Sequence, residues 1–191
     1  MNAFGIGVGG GGDGMRTGQG DARIILLDMP GYGSASRTEW GREIMKYLKG
    51  RRQLRRVFVL VDSMHGLKQK DDDILSLLRA YGISHQVILS KVDKILIGEK
   101  GQKKKATGKA TTSIANMSAF RSFLLDLKPV VQPEDRSQGP GGLGELVSCS
   151  AETVVRPGRL LGISTVRWAI LAAAGYDGSV QLDGEAGRSS S

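Results

Sequence analysis

Three short aliphatic runs, each ending in polar residues, most constrain what this 191-residue chain can fold into. They cover residues 24–27, 57–61 and 87–89. A continuous Ile, Leu and Val run without polar alternation is typical of a strand buried on both faces, as in a parallel sheet covered by helices. Because ligands bind at the carboxyl ends of such strands, the residues that end these runs are the first candidates for a functional site.

The first run ends in Asp28, and Gly31 follows three residues later. A carboxylate at a strand end can hold Mg²⁺ directly or through water, and a glycine lets its N–H approach a terminal phosphate. This is the Asp-x-x-Gly pattern of a Walker B strand. Two fixed positions recur often by chance, so the alternative is a core strand that enters a Pro-Gly turn.

The third run leads into Ser90-Lys91-Val92-Asp93. In guanine-nucleotide proteins an Asn/Thr/Ser-Lys-x-Asp loop reads the base, because the aspartate accepts two hydrogen bonds from the guanine edge while the lysine stem lies along the ring. The alternative is a surface turn in which Asp93 starts a helix and Lys91 is solvated. A fourth strand candidate, residues 144–148, leads into Ser150-Ala151, where small residues allow a backbone N–H to approach the base.

In this order, the motifs resemble the EngB (YihA/YsxC) type of translational GTPases, which belong to the P-loop class. Residues 28–33 are similar to the family's Asp-x-Pro-Gly-Tyr-Gly, residues 61–67 to its Val-Asp-x-Arg-His-Gly-Leu, and residues 90–94 to its Thr-Lys-x-Asp-Lys. The resemblance is dense over residues 23–94. It resumes over residues 147–151 and in a closing helix over residues 163–175.

The resemblance implies an α/β fold, a P-loop NTPase-like three-layer sandwich with a mostly parallel sheet, that binds GTP or GDP with Mg²⁺. It implies that Asp28 positions the metal and that Gly31 senses the γ-phosphate. The residues that it implies for guanine recognition are Ser90, Lys91, Asp93, Ser150 and Ala151. GTPase activity is implied by the resemblance alone, with no catalytic residue identified.

The largest departure from the family is that no Gly-x-x-x-x-Gly-Lys-Ser/Thr motif precedes Asp28. Gly9 and Gly14 have the spacing, but Met15 and Arg16 follow where lysine and Ser/Thr are required. The family's N-terminal strand and P-loop are therefore expected to be missing, through either a shortened gene model or a genuine copy that has lost hydrolysis. Nucleotide binding would then be weak, because the P-loop supplies most of the grip on the phosphates.

Length and composition agree with one truncated domain over residues 22–175, which the resemblance implies is a G domain, with a basic insert at about 98–112 and a Gly/Pro loop at about 132–142. Residues 1–21 are Gly-rich and residues 176–191 are rich in Gly and Ser, and both are expected to be disordered. Helices are expected over residues 37–49, 71–81, 113–127 and 164–174, ended by Gly82 in the second case and Pro129 in the third. No apolar run reaches about 18 residues, so no membrane span is expected.

The charge is +8, from 27 Lys+Arg against 19 Asp+Glu, and it is clustered. One cluster is Arg51, Arg52, Arg55 and Arg56, and a lysine cluster lies in the insert. Such clusters suit RNA phosphates, and the resemblance implies that the partner is ribosomal RNA or the large ribosomal subunit during its assembly. The expected protein is a monomer, mitochondrial in a eukaryote and otherwise cytoplasmic. The alternatives are a non-enzymatic basic RNA- or ribosome-binding remnant, and a fragment that does not fold alone.

Overall fold

The computed structural model describes residues 2–6, 24–29, 37–102, 113–134 and 146–176. The chain divides into two compact units, residues 1–52 and residues 53–191. In the first unit, strands β1 (Asn2–Ile6) and β2 (Ile24–Asp28) pair antiparallel, with Phe4 opposite Leu26. Helix α1 (Arg37–Gly50) follows, and Met45 and Leu48 are buried among its described side chains.

Strand β2 does not pair as its sequence predicts. The expectation was a strand buried on both faces of a parallel sheet, whereas β2 has an antiparallel partner and Ile25 is 57% exposed. A two-stranded sheet cannot cover both of its faces, and each strand still needs partners for its backbone N–H and C=O groups. Residues 2–6 supply those partners, so a strand forms inside the segment predicted to be disordered; residues 7–23 lie outside the described part of the chain.

The second unit contains a parallel sheet in the order β3-β4-β5, formed by Val57–Asp62, His85–Ser90 and Val147–Ser148. Val59 lies opposite Val87, and Ile88 lies opposite Val147. All three strands run in the same direction, so their carboxyl ends meet at one edge of the sheet. The predicted α/β class with a parallel sheet is confirmed.

Helices and a hairpin connect these strands. The helices are α2 (Gln69–Ala80), α3 (Asp93–Gln102), α4 (Ile114–Val131) and α5 (Ile163–Ala173). Strands β6 (Val154–Arg156) and β7 (Arg159–Leu160) form a short antiparallel hairpin after β5. None of the described helices is long and apolar enough to cross a membrane.

Both faces of the parallel sheet contribute to the core. By register, Val59, Val61, Val87 and Leu89 share one face, and all four are buried, as are Leu75 and Leu78 of α2. The opposite face carries a second cluster in which α5 packs on β4 and β5, formed by Ile88, Val147, Cys149 and Ala169 with Phe58, Ile163 and Val166 around them. Burial of such side chains contributes about 1.5–3 kcal/mol each and fixes the positions of the strand ends.

The predicted helices are present with shifted ends. Gly82 follows α2 with a φ of 62°, as predicted for a helix stop. Helix α4 continues past the predicted end at Leu127 and contains Pro129 in its last turn, where the missing N–H costs a single intrahelical bond. In α5 the buried residue is Ala169, whereas Leu171 is 38% exposed. The basic insert beyond residue 102, the loop beyond residue 134 and the tail beyond residue 176 lie outside the described residues.

Gly162 holds the start of α5 against the end of β5, and we predict that Gly162→Ala destabilises the second unit. Its φ is 70°, and an added Cβ would collide with the Ser148 carbonyl oxygen and approach the Cα of Cys149. Left-handed strain and overpacking together should lower the free energy of unfolding by about 2–5 kcal/mol, measured by urea denaturation. Gly158→Ala is the matched control, since its φ is 71° with open space around it, and should cost about 1 kcal/mol. Equal losses for both variants would contradict this account.

His85, at the start of β4, should make folding stability depend on pH. It is 1% exposed, and its Nδ1 lies 2.9 Å from the Ile83 carbonyl oxygen. Burial lowers the pKa of His85 below its usual value, and nearby Arg79 lowers it further, although the Ile83 contact acts the other way. The folded state therefore favours the neutral imidazole. The contribution of His85 to the free energy of unfolding is complete above about pH 6.5 and declines as the pH falls below that value.

The measurement is the free energy of unfolding between pH 7.5 and 5, with a slope of at most about 1.4 kcal/mol per pH unit from this group. His85→Gln should flatten the profile. An unaltered slope in His85→Gln would show that another group is responsible.

Candidate functional site

Two loops lie side by side at the carboxyl edge of the parallel sheet. The first, here called the β4 loop, is residues 91–93, and the second, the β5 loop, is residues 149–153. The Cys149 N–H donates to the Leu89 carbonyl oxygen at 2.8 Å, and the Val92 N–H donates to the Cys149 carbonyl oxygen at 3.3 Å. These bonds continue the pairing of β4 with β5 beyond the strands and bring the two sequence motifs together.

Asp93 is the first residue of α3 and is 1% exposed. The helix starts with hydrogen bonds from the Lys94 N–H to the Lys91 carbonyl oxygen and from the Leu96 N–H to the Val92 carbonyl oxygen. The partial positive charge of a helix N-terminus favours a carboxylate at this place. The alternative of a surface turn is correct in that Asp93 begins a helix, but a solvated cap would not be this deeply buried.

Lys91 occupies an unusual backbone conformation in the β4 loop. Its φ is 57°, and it is the non-glycine residue with a positive φ among those described. Its side chain is 59% exposed, and Nζ lies 2.7 Å from Oδ2 of Asp62 at the end of β3. The hydrogen bond to Asp62 raises the pKa of Lys91, and the same bond lowers the pKa of Asp62. The Lys91 side chain is therefore exposed, but Asp62 holds its ammonium group, so it is not freely solvated.

Asp62 is a residue of the site that the sequence did not single out as a ligand contact. Its Oδ1 accepts a hydrogen bond from the Met64 N–H at 2.9 Å, and its carbonyl oxygen accepts from His65 and Gly66 at 3.1 and 3.0 Å. The carboxylate thus joins the turn after β3 to the β4 loop. Its position directly after an apolar run was the signal available in the sequence.

The β5 loop is built around Ser150, which is 1% exposed. Its Oγ accepts hydrogen bonds from the N–H groups of Glu152 and Thr153 at 3.2 and 3.1 Å, and its own N–H donates to Leu161 at 2.9 Å. Ala151 follows and is exposed, so its small side chain leaves the backbone accessible. Across the two loops, Lys94 Nζ and Glu152 Oε2 form an ion pair at 3.1 Å.

Ser90 connects two strands of the sheet. Its hydroxyl donates to the Val61 carbonyl oxygen at 3.1 Å, and its carbonyl oxygen accepts from the Ser63 N–H at 3.0 Å. Ser90 therefore ties β4 to β3 below the loop. Cys149 is buried, and burial raises the pKa of its thiol, which disfavours the nucleophilic thiolate.

The structure thus brings together Lys91, Asp93, Ser150 and Ala151 within the second unit. Asp28 lies exposed at the end of β2 in the first unit, and Gly31 lies outside the described residues. Within the described ranges, no group of three or more His, Cys, Asp or Glu side chains could hold a metal ion. The residues brought together offer a buried carboxylate acceptor, a lysine side chain and a small exposed residue, which are groups that can hydrogen-bond or pack against a planar base.

The chain is similar to several known proteins, although no family model matches it. The chain is 36% identical over 137 residues to a protein of Rhizobium johnstonii named "Probable GTP-binding protein EngB", covering 68% of this chain and 57% of that protein. A Bartonella bacilliformis protein of the same name is 33% identical over 155 residues, covering 78% and 58%. One from Mesorhizobium japonicum is 49% identical over 79 residues, covering 39% and 37%.

The chain thus spans between about a third and three fifths of the length of these curated relatives. The two longer matches extend over most of the chain. Over its matched residues the chain is therefore similar to EngB-type GTP-binding proteins, in agreement with its α/β fold and parallel sheet.

Proposed function

We propose that this chain binds guanine nucleotides, GTP or GDP, through the β4 and β5 loops. The observation that carries the proposal is the burial of Asp93 at the carboxyl edge of a parallel sheet, with the paired Lys91 two residues before it. A carboxylate fixed at this place accepts hydrogen bonds from two adjacent N–H donors, which is the pattern of the guanine edge. The relatives are named as probable GTP-binding proteins, in agreement with this assignment.

The other residues complete the recognition. The aliphatic stem of Lys91 would lie along the purine ring, since its ammonium is directed toward Asp62. Ser150 fixes the loop that presents the Ala151 backbone toward a carbonyl group of the base. Asp28 is the residue that the resemblance implies for Mg²⁺, and a single carboxylate is within the one or two that Mg²⁺ usually takes. In the family, Gly31 would approach the terminal phosphate.

In this proposal the base supplies most of the nucleotide affinity. The Gly-x-x-x-x-Gly-Lys-Ser/Thr motif, whose backbone N–H groups and lysine surround the phosphates, is not found in the sequence. We therefore expect this chain to bind nucleotide less tightly than a protein with that motif.

The wider role that we propose is assistance in the assembly of the large ribosomal subunit, in the mitochondrion of a eukaryote or in a bacterial-type cytoplasm. Its support is the net charge of +8 and the exposed Arg51, Arg52 and Arg55. Such charges attract RNA phosphates with little dependence on sequence. This role rests on the resemblance to EngB proteins and on charge.

The base assignment predicts a change of specificity in Asp93→Asn. The amide keeps the size of the carboxylate but replaces one acceptor with a donor, so it should favour a xanthine edge over a guanine edge. We expect GDP affinity to fall at least about tenfold and the ratio of XDP to GDP affinity to rise, measured by isothermal titration calorimetry.

Asp126→Asn is the matched control, because Asp126 is an exposed residue of α4. It should leave both affinities unchanged. A uniform loss of GDP and XDP binding in a folded Asp93→Asn variant would contradict base reading by Asp93.

The second candidate function is a non-enzymatic basic module that binds RNA or the ribosome. The arginines at positions 51, 52, 55 and 56, before β3, favour it, because arginines can bind RNA phosphates without a bound nucleotide. In this case RNA binding should weaken steeply with salt and persist in Asp93→Asn, measured by filter binding between 50 and 200 mM salt. RNA binding that requires guanine nucleotide, and that Asp93→Asn abolishes, would instead support the nucleotide-dependent function.

A further inference from the structure

We propose that Asp62 is a positioning residue for guanine recognition, which holds the Lys91 ammonium so that the lysine stem is aligned before the base arrives. This inference rests on the proposed function. It adds a residue from β3 to a recognition site otherwise made by the β4 and β5 loops. Asp62 itself need not touch the nucleotide.

The two carboxylate oxygens of Asp62 make separate contacts. Oδ2 lies 2.7 Å from the Lys91 Nζ, and Oδ1 accepts from the Met64 N–H at 2.9 Å. The second bond fixes the orientation of the carboxylate within the turn after β3. The first bond can therefore fix the lysine, because its acceptor does not rotate freely. The carboxylate is partly shielded, at 27% exposure.

The backbone of Lys91 makes this anchoring useful. A lysine with a φ of 57° is in a conformation that side-chain-bearing residues rarely adopt, and such conformations persist only where the surroundings determine them. The Val92 N–H bond to Cys149 holds one side of the loop, and the Asp62 ion pair holds the lysine side chain. A lysine fixed in this way loses less conformational entropy when a ring packs on its stem.

The other ion pair at this edge is differently placed. Lys94 and Glu152 join the two loops at 3.1 Å, and the Glu152 side chain is 68% exposed. The charge of Glu152 also acts on Lys91, although less than that of Asp62, so this pair belongs to the site. The control is therefore Asp126→Asn, a change at an exposed residue of α4.

The test is a double-mutant cycle in the full chain, with GDP as the ligand and isothermal titration calorimetry as the measurement. Asp62→Asn keeps an acceptor for Met64 but removes the charge. It should weaken GDP binding about two- to fivefold, the range expected for an exposed ion pair. In a Lys91→Met background, which keeps the stem without the ammonium, Asp62→Asn should have no further effect, because Asp62 acts through that ammonium.

Three outcomes have defined meanings. A loss of GDP affinity when residue 91 is lysine but not when it is methionine, with Asp126→Asn at wild-type affinity, supports the positioning role. An equal loss in both backgrounds, or no loss in either, overturns it while leaving guanine binding by Asp93 intact. Wild-type protein that does not bind GDP in preference to ADP overturns the proposed function and this inference with it.

Folding is controlled independently by thermal denaturation monitored by circular dichroism. Should Asp62→Asn unfold, Asp62→Ser provides a second neutral variant that still offers an oxygen to the turn. The ion pair can also be screened without mutation: wild-type GDP affinity should fall with added salt, and Lys91→Met affinity should fall less. Identical salt dependence in the two proteins would overturn the proposal.

Discussion

The candidate site depends on the parallel pairing of β4 with β5, which continues past the strands through two backbone hydrogen bonds. The Cys149 N–H bonds to Leu89, and the Val92 N–H bonds to the Cys149 carbonyl oxygen. Without these bonds, the lysine-aspartate motif and the serine-alanine motif would be separate turns. With them, a buried acceptor, a directed lysine and an accessible backbone lie at one edge of a sheet, which is where parallel sheets bind ligands.

The core beneath the site supports this pairing. Ile88, Val147 and Cys149 form one cluster with α5, so the neighbouring strands β4 and β5 are packed by the same helix. Gly162 brings the start of that helix against the Ser148 carbonyl oxygen, closer than any residue with a side chain would permit. The β5 loop is thus held from below by packing and from the side by the bonds of Ser150. Loops held in this way can present a site that is formed before the ligand binds.

The parts of the structure that follow from local patterns could be predicted from sequence. Strands β3 and β4 contain continuous apolar runs, and the Lys91-Asp93 spacing is a local motif. What could not be predicted depends on distant partners: β2 pairs with residues 2–6, a choice that its own sequence does not specify. In the same way, the Lys91 contact with Asp62 joins the loop after β4 to the end of β3. The β6–β7 hairpin had a signal that was missed, the Pro157-Gly158 pair between two short apolar segments.

The most direct test of the central claim is a nuclear magnetic resonance titration of the ¹⁵N-labelled chain with GDP and, separately, with ADP. If the two loops read guanine, GDP should shift the backbone signals of Lys91 to Asp93 and of Ser150 and Ala151 together, and ADP at equal concentration should not. Signals that move alike with both nucleotides, or that move only at the arginines before β3, would show charge-driven binding and contradict the assignment of this edge as a guanine site.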